Sequence, residues 1–117
     1  MSRINDDLGY VDISQEIIEQ MVGLCASECF GVVGMASRSV TTGLIELLKK
    51  ENLRKGVKIT EDDGKLTIDI HIIVEFGVKI SAVAENLIDT VKYTIEKQTG
   101  LKVKKINVYV QSVRAFK

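Results

Sequence analysis

Residues 65–113 constrain the fold most, because the spacing of their apolar side chains changes twice. From 66 to 76 every second residue is apolar, which predicts a strand with one apolar and one mostly polar face. From 80 to 95 the spacing becomes three or four, which predicts an amphipathic helix that ends at Gly100. The period of two returns at 106–110. One apolar strand face and one apolar helix stripe together predict a two-layer core.

The preceding half of the chain carries shorter signals of the same two kinds. Residues 9–13 and 32–36 are short strand candidates, and a helix is predicted over 15–29 with Ser14 as its N-cap. A second helix is predicted over 43–52, with Leu44, Ile45, Leu47 and Leu48 as its apolar side. The order is therefore strand, helix, strand, helix before the long central strand.

A turn and a change of parity complete the pattern. Residues 57–59 open a strand, and the glycine-containing turn 61–64 joins it to the central strand as a β-hairpin. The apolar parity of the last strand switches at Lys104 and Lys105, which indicates a bulge or a strand that starts only after it.

Strands with one polar face predict a sheet covered by helices on a single face. The expected fold is therefore α+β: a two-layer single domain over residues 1–117, with a mixed sheet of four to five strands and helices packed on one face. Residues 1–8 are expected to be a loose lead-in and residues 114–117 a tail.

The composition excludes several classes of protein. Sixteen basic and sixteen acidic residues balance, whereas a dedicated nucleic-acid-binding protein normally has a basic surplus. No apolar run is long enough to span a membrane, so direct membrane insertion is not expected. The polar N-terminus lacks an apolar signal core and only two cysteines are present, so the expected location is the cytoplasm.

The two cysteines, Cys25 and Cys29, lie one turn apart on the first predicted helix. They could form half of a metal site or a redox pair, but a zinc site needs at least three protein ligands and the only histidine lies on a strand. Because both fall on the apolar stripe, buried small side chains are the favoured interpretation. We predict neither a metal nor a cofactor.

The polar face of the central strand carries that histidine, His71. A general base needs an orienting carboxylate and a nucleophile within reach, and no such arrangement is readable, so we do not predict an enzyme. On the same parity lies Ile73, and Tyr109 and Val113 share the polar parity of the last strand. If the two strands are neighbours, these residues form an apolar spot that could contact a partner.

Two further motifs have competing interpretations. Gly31 and Gly34 match the letters of the loop that clamps RNA in KH domains, but the valines between them favour a strand after a helix stop. A basic cluster could bind nucleic acid or another anionic partner, although a solvated helix end is the favoured interpretation; it comprises Lys49, Lys50, Arg54, Lys55 and Lys58.

Seven short segments together carry a resemblance to a known family. They are 9–14 (GYVDIS), 28–37 (ECFGVVGMAS), 43–48 (GLIELL), 55–58 (KGVK), 71–74 (HIIV) with Gly77, 98–101 (QTGL) and 106–111 (INVYVQ). In their order and spacing the chain resembles the alkaline shock protein family of Gram-positive bacteria, in its YloU-like subgroup of small members. The similarity extends over nearly the whole chain.

The resemblance implies a role in envelope stress or membrane-lipid homeostasis, and it carries over no active-site residue. It implies a non-enzymatic cytoplasmic protein that forms a homo-oligomer or binds a protein partner. That partner would be a membrane-anchored protein, which would bring the chain to the membrane, or a protein of fatty-acid metabolism. Nucleic-acid binding through residues 49–58 is the alternative function.

Overall fold

The structure, a computed structural model, describes residues 2–6, 9–36 and 56–114. Its elements are β1 (Ser2–Asp6), β2 (Gly9–Ile13), α1 (Gln15–Ser27), β3 (Val32–Met35), β4 (Val57–Asp62), β5 (Lys65–Glu75), α2 (Ile80–Thr99) and β6 (Lys102–Arg114). The fold is α+β, as predicted. The predicted helix over 43–52 and the predicted tail beyond residue 114 lie outside the described residues.

Strand β5 is the centre of a mixed four-stranded sheet. Strand β6 runs parallel to it along one edge. Strands β3 and β4 are both antiparallel to β5 and share its other edge, β4 opposite residues 65–70 and β3 opposite residues 72–74. The predicted mixed sheet is confirmed.

The chain leaves β3 and enters β4 at the same point of β5. The N–H of His71 donates to the carbonyl of Gly56 at 2.8 Å, and the carbonyl of His71 accepts from the N–H of Ala36 at 3.0 Å. A Cβ on Gly56 would lie only 2.8 Å from the carbonyl oxygen of Ala36 and 2.9 Å from that of His71. Glycine at position 56 is therefore what allows the three backbones to meet.

The turn between β4 and β5 confirms the predicted hairpin. Asp62 pairs with Lys65, so only Asp63 and Gly64 form the loop. Both have positive φ, 52° and 76°, which is the backbone geometry of a type I′ turn. This turn matches the right-handed twist of the two strands and fixes their register.

Local chemistry sets the start of α1 and the end of α2. The Ser14 hydroxyl accepts a hydrogen bond from the N–H of Ile17 and caps α1, as predicted. Helix α2 ends at Gly100, whose N–H donates to the carbonyl of Glu96. Helix α1 ends at Ser27, two residues before the predicted end, because the backbone turns towards Gly31.

The core lies between the helices and one face of the sheet. Alternate residues of β5 from Leu66 to Val74 are at most 1% exposed on this face. Helices α1 and α2 contribute the buried side chains Ile18, Val22, Ala26, Val83, Leu87, Val91 and Ile95. At roughly 1.5–3 kcal/mol for each large apolar side chain, this burial is the main favourable term in folding.

One prediction for the strands is wrong, and the structure decides between two alternatives for another. Residues 1–8 are not simply a loose lead-in, because Ser2–Asp6 forms β1 and pairs antiparallel with β2 in a separate two-stranded sheet. Strand β6 begins at Lys102, with the predicted bulge at Lys104 and a second irregularity at Gln111. The polar sequence of β1 hides its extended backbone from a search for apolar periodicity.

In the part of the chain that the structure describes, neither helix combines the length and apolar character that a membrane crossing requires.

Candidate functional site

The structure brings together part of the apolar spot that the sequence predicts on the polar face of the sheet. Strands β5 and β6 are neighbours, and His71 lies directly opposite Tyr109 in their register. The two rings stack with their centroids 4.8 Å apart and their planes at 17°. Tyr109 remains 44% exposed, so its ring is an amphipathic surface feature on the face of the sheet that the two helices leave uncovered.

Polar cross-strand contacts flank this stack. The side-chain amide of Asn107 donates to the Asp69 carboxylate at 2.8 Å. The amide nitrogen of Gln111 lies 3.1 Å from Nδ1 of His71. These contacts hold the histidine ring between two β6 side chains, which is the pattern of a polar sheet surface with paired side chains.

Ile73 and Val113 do not contribute as predicted. Ile73 is on the expected face but is only 5% exposed and packs in a small cluster with Ala36 and Val33. Val113 is 45% exposed but lies opposite Val74, so it belongs to the helix-covered face. The irregularity at Gln111 reverses the parity of β6, and no feature of the sequence marks its position. The surface thus retains Tyr109 and His71.

A larger concave surface lies on the helix layer, between α1 and α2. This groove has a volume of about 510 Å³. It is lined by Met21, Leu24, Cys25, Glu28, Cys29, Phe30, Asn86, Thr90, Thr94 and Gln98. Leu24 is 53% and Phe30 77% exposed, so two large apolar side chains at the groove face solvent. The sequence analysis missed this groove.

The α2 side of the groove is a row of uncharged polar side chains at intervals of four residues, namely Asn86, Thr90, Thr94 and Gln98. Residues four apart lie on one face of a helix, so this row forms a continuous stripe. The signal was present in the sequence, because charged residues occupy much of the remaining polar surface of α2. On the α2 side, the groove therefore offers hydrogen-bonding groups without charge, and on the α1 side it offers exposed apolar residues and the carboxylate of Glu28.

The two cysteines lie at the floor of the groove. Cys29 is buried and its thiol donates to the carbonyl of Cys25 at 3.4 Å. Cys25 is half-buried and its thiol donates to the Thr94 hydroxyl at 3.7 Å. Both thiols are free, and both side chains pack against the core. The predicted burial is confirmed for Cys29 and is only partial for Cys25.

The environment keeps both thiols protonated. Burial raises the pKa of the Cys25 thiol, and this outweighs the hydrogen bond to Thr94, which lowers that pKa. Burial also raises the pKa of the Cys29 thiol, and the neighbouring Cys25 raises it further. Because the thiolate is the nucleophile and the metal ligand, both side chains are less reactive than exposed cysteines.

The Gly31 segment is a structural turn. Gly31 has φ of 86°, and a Cβ there would lie 2.7 Å from a methyl carbon of Val83 on α2. Val32 then begins β3, so the segment enters a strand and does not form a clamp between two helices. The favoured interpretation from the sequence is confirmed.

The remaining candidates are only partly within the described residues. Lys58 is exposed on β4, whereas Lys49, Lys50, Arg54 and Lys55 lie outside the described residues. Binding of an anionic partner or nucleic acid by this cluster stays a prediction. Across residues 2–6, 9–36 and 56–114, no three histidine, cysteine or carboxylate side chains are grouped so that they could hold a metal ion.

Comparison with known proteins gives a consistent result over nearly the whole chain. Residues 3–115 match the ASP23 family, which is described by its "cell envelope-related function" and corresponds to the alkaline shock protein family that the sequence resembles. The chain is 46% identical to the uncharacterized protein YloU of Bacillus subtilis (strain 168), over 91% of this chain and 89% of that protein. It is 41% identical to the uncharacterized protein Spy1614 of Streptococcus pyogenes serotype M6, over 96% of this chain and 93% of that one.

A third relative is more distant. The uncharacterized protein YqhY of Bacillus subtilis is 35% identical over 97% of this chain and 84% of its own length. None of these descriptions names an enzymatic activity.

Proposed function

Because the chain belongs to the alkaline shock protein family, whose function is related to the cell envelope, we propose that it serves the envelope as a non-enzymatic protein that binds other proteins. The expected partners are further copies of the chain, a membrane-anchored protein or a protein of fatty-acid metabolism. In this proposal the chain is cytoplasmic and reaches the membrane only through such a partner.

The observation that carries the proposal is the exposed apolar surface at the α1–α2 groove. Leu24 and Phe30 are 53% and 77% exposed, although Val22 and Ala26 of the same helix are fully buried. Single exposed apolar residues are ordinary, but two large ones at one concave surface are typical of a contact site. Covering them with a partner would remove apolar area from water at roughly 25 cal/mol per Å².

The side chains that line the groove indicate which kind of partner segment would fit it. One wall carries the apolar Leu24 and Phe30 together with the carboxylate of Glu28, and the other is the uncharged polar row of α2. An amphipathic segment would place apolar side chains on the first wall and hydrogen-bonding groups on the second. A helix that lies in the groove is a common form of such recognition.

The thiols support a binding role over a redox or nucleophilic one. Cys25 and Cys29 line the groove, and burial raises the pKa of both. A catalytic cysteine normally has a depressed pKa and an adjacent base. In the proposed function the two side chains therefore form part of the floor of the contact surface.

A comparison of two aromatic substitutions tests the proposal. Phe30→Asp places a charge at the groove, and Tyr109→Asp places the same charge on the opposite face of the sheet, where an exposed aromatic residue is also lost. The wild type and both variants are compared by light scattering over a concentration series and by quantitative capture from native cytoplasmic extract.

We expect a defined stoichiometric complex, with the chain itself or with another protein, that Phe30→Asp weakens at least tenfold. Such a loss corresponds to about 1.4 kcal/mol, a modest fraction of what a buried aromatic contributes to an interface. Equal complex formation by the wild type and Phe30→Asp would contradict the proposal that the partner binds at the α1–α2 groove. If the wild type forms no complex in the light-scattering series and captures no partner from the extract, the proposed function itself is contradicted.

A further inference from the structure

The polar row on α2 repeats at nearly the interval of an extended peptide backbone. Its members, Asn86, Thr90, Thr94 and Gln98, lie four residues apart, which is about 6 Å along a helix. In an extended chain, the backbone N–H and C=O groups that point to one side recur every second residue, at about 6.4–6.8 Å. The two repeats differ by less than about 1 Å per step. The row is therefore placed to bind the main chain of an extended segment.

The row also has the chemistry that a main chain requires. The amides of Asn86 and Gln98 each offer donors and an acceptor, and both side chains are exposed. The hydroxyl of Thr94 accepts a hydrogen bond from the Cys25 thiol, and its own O–H is a further donor. An extended segment must find partners for its backbone groups when it is covered, whereas a helix pairs these groups internally. The row therefore suits an extended segment better than a helix.

The size of the groove favours the same occupant. From Asn86 to Gln98 the groove is about 18 Å long, which an extended segment of about five residues nearly fills. A helix with its side chains is about 10–12 Å across, so this length of helix occupies more than about 1,400 Å³. The groove has a volume of about 510 Å³. An extended segment can enter it, whereas a helix would remain largely outside.

The α1 wall determines which side chains such a segment carries. In an extended chain the side chains project at about right angles to the hydrogen-bonding direction, so they meet the α1 wall when the backbone faces α2. Along this wall the order is Leu24, Glu28 and Phe30. Leu24 and Glu28 are one helical turn, about 6 Å, apart, which again matches two residues of extended chain. Alternate side chains of the segment therefore meet these three residues in turn.

Glu28 determines the charge of the segment. Among the described side chains that line the groove, it is the one that carries a charge, and it is exposed. Within the described part of the chain, its carboxylate forms no ion pair and no hydrogen bond. Covering an unpaired carboxylate costs free energy, whereas a basic side chain opposite it forms a charge-assisted pair. The complementary segment therefore has a basic residue between two apolar ones.

We propose that the α1–α2 groove binds an extended segment of another protein with the pattern apolar, any, basic, any, apolar. The two apolar side chains contact Leu24 and Phe30, the basic one pairs with Glu28, and the main chain bonds to the polar row of α2. The inference rests on the proposed function and names the kind of segment that the partner offers. Such a segment belongs to a tail or linker that becomes ordered on binding, because the backbone groups of a strand within a sheet are already paired.

A peptide selection tests the sequence preference. Random linear dodecapeptides displayed on phage are selected on the full chain. The retained peptides should share the pattern and should bind Phe30→Asp at least tenfold more weakly than the wild type. The same selection on Glu28→Lys should replace the basic residue by an acidic one. Glu61→Lys, the same charge change at an exposed position of β4, should leave the preference basic.

The strongest selected peptide, made synthetically, tests the bound conformation by NMR. An extended peptide shows strong nuclear Overhauser effects between each α-proton and the following amide proton, whereas a helix shows them between successive amide protons. Asn86→Ala and Gln98→Ala should each raise the dissociation constant about three- to tenfold, as expected for one lost hydrogen bond to the main chain. Lys92→Ala, an exposed change elsewhere on α2, should leave it unchanged.

Cys25 reports whether the peptide lies in the groove. Its thiol is free and half-buried at the floor, so alkylation by iodoacetamide is slow but measurable. When the peptide occupies nine in ten chains, the rate at Cys25 should fall about tenfold. An unchanged rate would mean that the peptide binds elsewhere and would overturn the inference.

Three further outcomes would overturn the inference. If no selected peptide depends on Phe30, the groove does not bind linear segments. A helical bound peptide, or full binding by the Asn86 and Gln98 variants, would contradict the extended form. A basic preference that persists in Glu28→Lys would contradict the charge pairing.

The proposed function is tested separately from these outcomes. A folded partner captured through Phe30 from cell extract would support it in each of the three cases. Selected peptides that bind as expected, with a wild type that forms no complex with itself or with any cellular protein, would contradict the proposed function alone.

Discussion

The two faces of β5 differ in how they stabilise the same strand. On the face towards the helices, the alternate residues from Leu66 to Val74 are apolar and at most 1% exposed. On the other face, Asp69 pairs with Asn107 and His71 stacks on Tyr109. Burial on the first face requires only the right size and apolar character. Each contact on the second face requires a particular partner on a particular neighbouring strand.

This difference explains where sequence variation should be tolerated. Apolar packing is non-directional and shared among many neighbours, so one side chain can be exchanged for another of similar volume at small cost. A cross-strand pair contributes only about 0.2–1 kcal/mol, and it depends on the register of both strands. The helix-covered face therefore determines stability, and the polar face determines register and surface chemistry.

The largest expected effect is on the helix-covered face. Ile70 is fully buried at the centre of the core, so Ile70→Ala should lower the free energy of unfolding by about 2–5 kcal/mol. Thr67→Ala on the polar face is the control and should change it by less than about 1 kcal/mol. Chemical denaturation of both variants measures the contrast. Equal losses would mean that the two faces are not distinct.

The second largest loss of stability is expected at Gly56, where β3 and β4 meet along one edge of β5. A Cβ at position 56 would overlap the carbonyl oxygens of Ala36 and His71, so Gly56→Ala must displace one of these backbones. We expect a loss of about 1–3 kcal/mol in the free energy of unfolding. Thermal unfolding should show it, with Lys58→Ala, an exposed change on β4, as the control that leaves the melting temperature nearly unchanged. An unchanged melting temperature for Gly56→Ala would contradict the close approach.

A smaller effect is expected on the polar face. Asp69→Ala leaves the half-buried amide of Asn107 without its carboxylate partner and should lower the free energy of unfolding by about 1 kcal/mol. Because the two side chains form one pair, removing Asn107 as well should cost little more. A double-mutant cycle measures this coupling. Simple additivity of the two losses would show that the pair does not act as a unit.

The smallest expected effect is a pH dependence of the free energy of unfolding, caused by the two cysteines of α1 and the turn that follows it. Burial raises the pKa of Cys25 and Cys29 in the folded protein, so the unfolded chain loses these protons first as pH rises. The stability that the neutral thiols contribute is therefore complete below the ordinary thiol pKa and is lost as pH rises through the raised values. Denaturation at pH 7 to 10 should show a decline that is reduced in Cys29→Ala relative to the wild type. A decline of the same size in both would contradict this assignment.

The fold was largely predictable because its signals are local. The period of two in β5, the two-residue turn before it and the glycine after α2 each appear within a few residues of sequence. Strand β1 was missed because its residues carry no apolar alternation, and its pairing depends on β2. Long periodic segments thus specify their own structure, whereas short polar segments depend on their partners.

The surface chemistry was less predictable because it depends on the arrangement of the elements. Val113 changes face at an irregularity near Gln111, which depends on how β6 follows the twist of β5. Ile73 is buried, although its parity is polar, because it packs against Val33 of β3 and against Ala36, the residue after that strand. The α1–α2 groove exists only once the two helices are packed together. None of these features is encoded in one segment.

Photo-crosslinking in living cells tests most directly whether the protein acts through contact at the α1–α2 groove. A photoreactive benzoylphenylalanine is placed at position 24, at the groove, and in a second strain at position 109, on the opposite face of the sheet. We predict one discrete crosslinked protein product at position 24 that is much weaker at position 109. No product at position 24, or equal diffuse products at both positions, would contradict the account.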